Sequence, residues 1–308
     1  MLALSIRTPG IMPPTFPVQT GPLTVERLPS GCEGEVLAFL AARPIHTAIM
    51  AGQIRDNGLV SQLNRGVFYA SRNMTGRIEG VALIGHVTMI ETSNDLALQY
   101  FVELAQNNRR AHVVIGEVEK VERFWDLYAS SGQPMRLACR ELLFEQRWPL
   151  QVHESIDLRQ ATLDDIEQIM LVHAQMAFEE CGINPMEKDL AGFRERVAYR
   201  IEKGRVWTLT DQGQLVCKAD VVSDTPEQVY LEGVYVNPEY RGQGFGARFI
   251  SQLSRTLLAR TQSLSVLVNE QNRAAQLFYQ RAGYRLRGYY DTIYLAQNEW
   301  PKDNDQTH

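Results

Sequence analysis

A glycine-rich turn at residues 241–246 has the composition needed to hold an anion. It reads Arg-Gly-Gln-Gly-Phe-Gly, follows an apolar strand pattern and precedes an amphipathic helix pattern. The first N–H groups of a helix lack intrahelical partners and carry partial positive charge, so they attract phosphate. The glycines permit unusual dihedral angles and leave room for the anion, and Arg241 adds a cation. The turn therefore predicts a pyrophosphate site, although a helix that only needs a tight entry would also explain it.

The composition of the whole chain limits the function classes. The chain has 308 residues and a formal net charge of −5, which disfavours a general nucleic-acid binder because phosphate neutralisation needs a basic face. Its four cysteines form no CxxC pair and no cluster with histidines at ligand spacing. This pattern predicts reduced thiols in a cytoplasmic protein and no metal site. No segment reaches membrane-spanning length, so no membrane partner is expected.

The elements that would position the turn follow a regular order in the second half. A strand near 156–159 leads to a helix that Thr162 caps and Gly182 ends. The hydrophobic periodicity then predicts a helix over 188–202, strands over 206–210, 215–221 and 229–236, a helix over 244–260, a strand over 265–268, a helix over 272–282 and a strand over 284–295 bent at Gly288.

The first half repeats this order of elements. It predicts strands over 23–28, 67–71, 78–83, 86–90, 113–116 and 137–144, with helices over 34–42, 45–56, 95–107 and 118–129. The expected fold class is α+β, with two similar domains that each have a mostly antiparallel central sheet flanked by helices. The expected boundaries are a flexible arm over 1–22, a first domain over 23–148 and a second over 153–300. A different small α+β domain is the alternative for the first half.

The turn and its flanks resemble the acetyl-coenzyme A binding motif of the GNAT N-acetyltransferase superfamily. The matching residues are the strand 230–236, Asn237-Pro238-Glu239-Tyr240 and the turn 241–246. A second signature also fits, in Val268-Asn269, Asn272, Ala275, Phe278-Tyr279 and Ala282-Gly283-Tyr284. The resemblance covers about residues 153–296. It implies the fold and the cofactor, but not the acyl acceptor.

The resemblance implies a role for each matching position. Backbone groups along Val234, Tyr235 and Val236 would hold the pantetheine and the thioester carbonyl. The pyrophosphate would lie on the backbone of Arg241, Gly242, Gln243, Gly244, Phe245 and Gly246. Asn272 would face the pantetheine arm, and Tyr279 would lie near the sulfur as general acid to the leaving thiolate. A tyrosine that merely packs in the core is the alternative for Tyr279.

Acetyl transfer to an amine needs a base, because an amine of pKa about 10.4 is only roughly one part in two thousand neutral at pH 7. Glu232 is the candidate, since it precedes Val234 by two residues on a strand and should share its face. Members of the family often have a glutamate here that acts through a water. A cross-strand or surface glutamate is the alternative. Glu179 and Glu180 could attract the acceptor ammonium, or they could be a solvated helix end.

The first half lacks the phosphate turn at the corresponding junction. Residues 89–95 read Met-Ile-Glu-Thr-Ser-Asn-Asp, without glycine or arginine. Glu91 and Asp95 would repel a pyrophosphate, while Ser93, Asn94 or Asp95 could cap the helix. The first half is therefore expected to keep the fold without a cofactor site, and to cover the second half or shape the acceptor cleft.

Taken together, these patterns predict an N-acetyltransferase with one active site, in the second half. Acetyl-CoA would be the cosubstrate, and direct transfer in a ternary complex is expected because no residue stands out as an acyl carrier. The acceptor could be a small amine, an amino acid or a protein amine, and longer acyl donors stay open. The alternative is an acyl-CoA sensor or scaffold without turnover, which the presence of both Glu232 and Tyr279 disfavours. The chain could be a monomer or a homodimer.

Overall fold

The computed structural model of the protein describes residues 23–108, 110–150 and 156–296. The expected arm over 1–22 lies outside these residues, as do residues 151–155 near the expected domain boundary and residues 297–308. Within them, the elements of the first half are β1 (Thr24–Arg27), α1 (Glu33–Leu40), α2 (Pro44–Asn57), β2 (Gly66–Arg72), β3 (Ile78–Gly85), β4 (Val87–Thr92), α3 (Asp95–Gln106), β5 (Val113–Glu117), α4 (Val118–Tyr128) and β6 (Met135–Gln146).

The second half repeats the pattern with one additional short helix. Its elements are β7 (Arg159–Gln160), α5 (Ile166–Cys181), α6 (Pro185–Lys188), α7 (Leu190–Glu202), β8 (Val206–Asp211), β9 (Gln214–Asp224), β10 (Val229–Val236), α8 (Phe245–Leu258), β11 (Leu264–Asn269), α9 (Arg273–Arg281) and β12 (Arg285–Leu295). The capping box at Thr162 and the left-handed stop at Gly182 are confirmed. The missed element is α6, which Asn184 caps and which has Pro185 in its first turn.

The described strands form one sheet in the order β1-β2-β3-β4-β5-β12-β6-β11-β10-β9-β8-β7. Neighbouring strands pair antiparallel except β4 with β5 and β10 with β11, which pair parallel. The expected α+β class, with a mostly antiparallel sheet flanked by helices, is confirmed. The two halves contribute to one continuous sheet. The expected domain boundaries, at residues 23–148 and 153–300, stay a prediction.

The last strand of each half pairs with the other half. Strand β6 pairs with β11 along the whole of Leu264–Asn269, and β12 pairs with β5 from Tyr290 to Tyr294. The two exchanged strands also pair with each other in the middle of the sheet. Each half therefore depends on the other for a neighbour at its inner sheet edge, because an unpaired edge leaves backbone N–H and C=O groups without partners.

Helices cover both faces of the second-half sheet. Helix α8 buries Phe249, Leu253 and Leu257 on one face, and the other face carries α5 and α7 through Ile169, Phe193 and Val197. The side chains that meet the helices are fully or nearly fully buried, as expected for an amphipathic helix on a sheet. The two faces of β9 and β10 therefore have different neighbours, which matters for the site below.

Helix α2 of the first half also packs on the sheet of the second half. The Ser223 hydroxyl on β9 donates to the carbonyl of Ala48 at 2.6 Å. A Cβ at Gly52 would lie 2.3 Å from Ser223 Oγ, so only glycine permits this approach. Arg205 also pairs with Asp56 at 2.7 Å. Helix α2 thus covers the same sheet face as α5 and α7, beside β9.

Candidate active site

The turn at 241–246 adopts the conformation that its glycines allow. Gly242 and Gly244 have left-handed φ angles of 77° and 82°. Gly244 is the N-cap of α8 and makes no side-chain capping bond. A Cβ at Gly246 would lie 2.8 Å from Val236 Cγ2, so the glycine lets α8 approach β10 closely. The first N–H groups of α8 therefore have no side-chain cap, and they can donate hydrogen bonds to a bound anion.

Strands β10 and β11 pair only at their beginnings and then diverge. Their parallel pairing covers Val229–Leu231 of β10, while β10 continues to Val236 and β11 to Asn269. The divergence opens the sheet beside Glu232 and the turn. A narrow extended ligand could bind the free backbone groups of β10 in this opening.

A β-bulge at Gly233 changes which side chains share a face. The register of β10 against β9 shifts between Glu232 and Tyr235, and Gly233 has a φ of 57°. Val234 and Val236 pack toward α8, whereas Tyr235 packs toward α5 and α7. The expectation that Glu232 and Val234 share a face is therefore wrong, because the bulge adds a residue to the alternation. Glu232 lies opposite Asp220, on the face of α5 and α7.

A buried charged network lies beside this bulge. Lys218 has no exposed surface, and its Nζ donates to Asp220 Oδ2 at 2.8 Å and to the Gly233 carbonyl at 2.9 Å. His173 Nε2 of α5 lies 2.8 Å from the same Asp220 oxygen. Burial lowers the pKa of Lys218 and of His173. Burial would raise the pKa of Asp220, but Lys218 and His173 hold it well below its usual value.

Sequence reasoning missed this network, although a local signal was present. Lys218 and Asp220 alternate with the apolar Cys217, Ala219 and Val221 in β9. Charged residues on the inward side of a strand pattern indicate a buried ion pair. The pattern could not show that the ammonium would bond the Gly233 carbonyl.

Glu232 has a raised pKa at the open side of the cleft. Its side chain keeps contact with solvent, but the surrounding protein partly desolvates it and raises the pKa. The positive charge of Arg200 lowers this pKa, and the charges of Glu180 and Asp220 raise it. A carboxylate with a raised pKa is a stronger base, which suits proton abstraction near neutral pH.

Tyr279 is buried among aromatic side chains. It is 5% exposed, and its ring centroid lies 5.2 Å from Phe278, 5.3 Å from Tyr284 and 6.4 Å from Phe144. Burial raises the pKa of its hydroxyl, which keeps the group protonated as a general acid must be. The same packing also fits a core tyrosine, and its position near a sulfur stays a prediction.

The other cofactor candidates have visible structural roles. The side-chain oxygen Oδ1 of Asn272 accepts from the Ala275 N–H at 3.0 Å and caps α9. Arg241 Nε donates to the Val236 carbonyl at 3.0 Å, so its guanidinium lies between the end of β10 and the turn. The pantetheine contact expected of Asn272 stays a prediction.

The two glutamates at the end of α5 have different partners. Glu179 accepts from Gln175 Nε2 of its own helix at 2.8 Å. Glu180 accepts from the Tyr294 hydroxyl of β12 at 2.8 Å. The negative charge of Glu180 also contributes to the raised pKa of Glu232.

A further carboxylate of the first half, that of Glu141, has a raised pKa. Glu141 lies on the exchanged strand β6 and accepts from the Thr292 hydroxyl. Burial raises the pKa of Glu141 to about 7, and the charges of Glu180 and Glu232 add to this rise. Sequence reasoning missed Glu141, because no local pattern shows that β6 would pair with β11.

The corresponding junction of the first half is closed. Asn94 Oδ1 accepts from the N–H groups of Leu96 and Ala97 at 3.0 and 3.2 Å, so a side chain caps α3. A cavity of about 20 Å³ lies between β4 and β5, which is room for about one water molecule. The Asn94 cap distinguishes this junction from the uncapped start of α8, and the absence of a coenzyme site in the first half stays a prediction.

Glu91 and Asp95 both have cationic partners, contrary to the expectation that their charges would repel a pyrophosphate. Glu91 is not a free charge that would repel a pyrophosphate, because it accepts from Arg43 at 2.9 Å and from Lys120 at 2.7 Å. Asp95 pairs with Arg123. The capping of α3 by Asn94 is therefore the stronger physical reason to expect no pyrophosphate at this junction.

No group of three or more His, Cys, Asp and Glu side chains in residues 23–108, 110–150 and 156–296 could hold a metal ion. In the same residues, no helix is both long enough and apolar enough to span a bilayer.

Part of the second half is similar to known acetyltransferases. Residues 202–286 match the family model described as Acetyltransferase (GNAT) domain. Bovine thialysine N-epsilon-acetyltransferase is 39% identical over 56 residues, which are 18% of this chain and 33% of the bovine protein. This chain therefore spans about a third of the length of that curated relative.

Two solved structures share the fold over most of the chain. A Drosophila protein superposes with a TM-score of 0.67 at 13% identity, covering 89% of this chain and 99% of that one. A tandem GNAT protein from the clavulanic acid biosynthesis pathway has a TM-score of 0.55 at 12% identity, covering 90% of this chain and 100% of that one. These structures share the fold of the chain, and residues 202–286 resemble the GNAT acetyltransferase domain.

Proposed function

We propose that this protein is an acetyl-CoA-dependent N-acetyltransferase that acts on a primary amine by direct transfer in a ternary complex. One observation carries the proposal, the uncapped glycine turn at the start of α8 beside the diverging strands β10 and β11. The GNAT domain match spans these same elements. The name of the bovine relative describes acetylation of an amine in that protein, which supports an amine acceptor here.

The chain fits coenzyme A at the turn. Cβ atoms are absent at 242, 244 and 246, and a side chain at any of these positions would occupy or distort the anion cradle. The backbone from Arg241 to Gly246 would hold the pyrophosphate, and the free backbone groups near Val234 and Val236 would hold the pantetheine. When bound, acetyl-CoA supplies a thioester carbonyl activated toward attack.

Glu232 acts as the base in this proposal. Removing a proton from an ammonium of pKa about 10.4 at pH 7 corresponds to roughly 4–5 kcal/mol, and a positioned base offsets part of this. The amine nitrogen forms the new C–N bond while the C–S bond breaks. The amine proton goes to Glu232, directly or through a water, and the sulfur takes a proton from Tyr279. Because a thiolate is already a tolerable leaving group, Tyr279 assists turnover and is not indispensable.

The free cysteines support a cytoplasmic location. Cys32, Cys139, Cys181 and Cys217 are all unpaired. Thiols usually stay reduced in the cytoplasm, whereas secreted proteins tend to form disulfides. We therefore place the enzyme in the cytoplasm, with acetyl-CoA and an amine as its partners.

The test combines thiol release with coenzyme A binding. Thiol release from acetyl-CoA should depend on an added amine, and the acetylated amine should appear in equal amount. Tight coenzyme A binding without turnover on any amine would favour the sensor or scaffold alternative. Failure to bind coenzyme A would contradict both functions.

A further inference from the structure

The peptide group between Gly233 and Val234 is held by a buried charged side chain. Its carbonyl oxygen accepts from Lys218 Nζ at 2.9 Å, and it lies within the β-bulge where the register of β10 against β9 shifts. A Cβ at Gly233 would lie 2.7 Å from Asp220 Oδ2 and 2.9 Å from Lys218 Nζ. The glycine therefore lets the backbone approach the buried pair closely, and the bulge and the pair depend on each other.

The ammonium of Lys218 is itself fixed in place. Lys218 is 0% and Asp220 is 2% exposed, and Lys218 Nζ donates to Asp220 Oδ2 at 2.8 Å. His173 Nε2 of α5 lies 2.8 Å from the same oxygen, and the positive charge of Arg200 on α7 also lowers the pKa of Asp220. Lys218 cannot turn away without leaving a carboxylate unpaired in the interior, which is strongly unfavourable. The contact with the Gly233 carbonyl is therefore held by β9 and α5 together.

The geometry of a trans peptide then sets the direction of the Val234 N–H. None of the described residues has a cis peptide bond. A trans peptide is planar, so its C=O and its N–H point in opposite directions. Because the Gly233 carbonyl faces Lys218 of β9, the Val234 N–H points away from Lys218. Strand β11 pairs with β10 only over Val229–Leu231, so the sheet is open beside this peptide on the side away from β9.

We propose that Lys218 is a positioning residue for acetyl transfer, which holds the Gly233 carbonyl so that the Val234 N–H donates to the oxygen of the thioester carbonyl. This inference rests on the proposed function and adds a residue to it. When the amine nitrogen forms the C–N bond, an electron pair of the C=O bond moves to this oxygen. The pair returns as the C–S bond breaks, while Glu232 and Tyr279 handle the two protons as described above.

The ammonium also makes the N–H a stronger donor. A charged donor on the carbonyl oxygen polarises the whole peptide group, and linked hydrogen bonds strengthen one another by about 10–30% per bond. Donors that are already aimed at a developing negative oxygen are typically worth about 10²–10³ in kcat each. Loss of the aim should cost a part of this, about 10- to 100-fold, because small displacements at a reacting centre are expensive.

The first experiment separates this role from stability. The double variant Lys218→Met with Asp220→Val removes the contact and leaves the net charge near Glu232 unchanged. It should recover most of the free energy of unfolding that Lys218→Met loses, whereas its kcat should stay about 10- to 100-fold below that of the parent. Its coenzyme A affinity should change little. Ser223→Ala, which removes a buried hydrogen bond from the same strand, is the matched control and should keep the parent kcat.

The second experiment does not depend on turnover. Acetyl-CoA labelled with ¹³C at the thioester carbonyl is bound to the full chain without an amine, and its carbonyl stretching frequency is measured by infrared spectroscopy. A hydrogen bond to the oxygen weakens the C=O bond and lowers this frequency. The frequency should be lower on the parent protein than in solution, and the double variant should return it toward the solution value.

Each outcome decides for or against the role of Lys218. A kcat that recovers together with stability would make Lys218 only structural. A loss of kcat that disappears at high pH would place the effect on Glu232 instead, and it would also overturn the inference. An unshifted carbonyl frequency on the parent overturns it even if no variant folds. A shifted frequency without turnover on any amine supports the contact but contradicts the proposed function.

Discussion

At the scale of single residues, some charged side chains near the bulge have an oppositely charged partner within ion-pair distance and others do not. Lys218, Asp220 and His173 form a compact buried network, in which the ammonium also binds the Gly233 carbonyl. Glu141 and Glu232 lie in the same region without a cation within ion-pair distance among the described residues. The bond from Lys218 to the Gly233 carbonyl fixes the backbone of β10, while Glu141 and Glu232 are available to a ligand.

Lys218→Met should destabilise the protein by about 3–5 kcal/mol, because it leaves Asp220 buried without its cation. The free energy of unfolding in urea measures this effect. The double variant Lys218→Met with Asp220→Val should recover much of the loss, since it removes both charges. A single variant that loses less than about 1 kcal/mol would show that the pair is not a buried ion pair in solution.

Glu232→Gln should lower kcat most at low pH, because the amine is then most protonated and most in need of a base. In the parent protein the rate should rise with pH as Glu232 ionises, and its raised pKa moves this rise toward neutral pH. Steady-state kinetics between pH 6 and 9 measure the profile, with coenzyme A affinity as the control. An unchanged profile would assign the base role to another group.

Glu141→Gln should stabilise the protein relative to the parent, and this gain in stability should become larger as pH rises. The pKa of Glu141 is about 7 in the folded protein against 4.5 for the free side chain, so the folded state retains the proton at higher pH than the unfolded state. The parent therefore loses stability from this group between these two values, and the glutamine variant does not. Thermal unfolding of both proteins at pH 5 and pH 8 measures this difference. A stability gain of the variant that is larger at pH 5 than at pH 8 would contradict the raised pKa of Glu141.

At the scale of elements, the site depends on how β10 ends and α8 begins. The bulge at Gly233 directs Glu232 toward α5 and Val234 toward α8. Gly242 and Gly244, both with left-handed φ, then turn the chain into α8, whose first turn has no side-chain cap. Glu232 and the side chains that pack toward α8 are thus on opposite sides of β10, which diverges from β11 at this point.

Gly244→Glu should lower coenzyme A affinity more than 100-fold, because it adds a negative side chain where we expect the pyrophosphate. Gly213→Glu is a matched control, since Gly213 has a similar φ of 81° and lies in the β8–β9 hairpin with open space around it. Both variants carry the same strain of about 1–2 kcal/mol and the same charge. Isothermal titration with coenzyme A measures the affinities. Unchanged binding by the Gly244 variant would mean that the pyrophosphate binds elsewhere.

At the scale of the whole molecule, the exchange of β6 and β12 joins the two halves into one sheet. Pairing of β6 with β11 gives the second half its inner neighbour. Helix α2 adds a second contact through Gly52 and Ser223. The first half is therefore a structural support of the second-half sheet.

A fragment of residues 156–296 should not fold alone, because β11 would lose β6 and β12 would lose both of its neighbours. Circular dichroism and coenzyme A binding would measure this. Co-expression with a fragment of residues 23–150 should restore both signals. A second-half fragment that folds cooperatively by itself and binds coenzyme A as tightly as the full chain would contradict the role of the exchange.

The sequence by itself determined the local features of this protein. The helices and strands, the Thr162 capping box, the Gly182 stop and the glycine turn follow from hydrophobic periodicity and from dihedral preferences within a few residues. The resemblance to the GNAT superfamily rested on such local motifs and is confirmed by the domain match. The roles proposed for the individual site residues stay predictions.

Only the tertiary structure decided which strands pair and which side chains meet. Nothing near Glu141 in the chain shows that β6 would lie beside β11, and nothing near Glu232 shows that Lys218 would bond the Gly233 carbonyl and accompany a bulge. Strand pairing and register depend on contacts between residues far apart in sequence, and one added residue reverses the side-chain alternation. The turn could therefore be recognised from its residues, whereas the acceptor cleft required the folded chain.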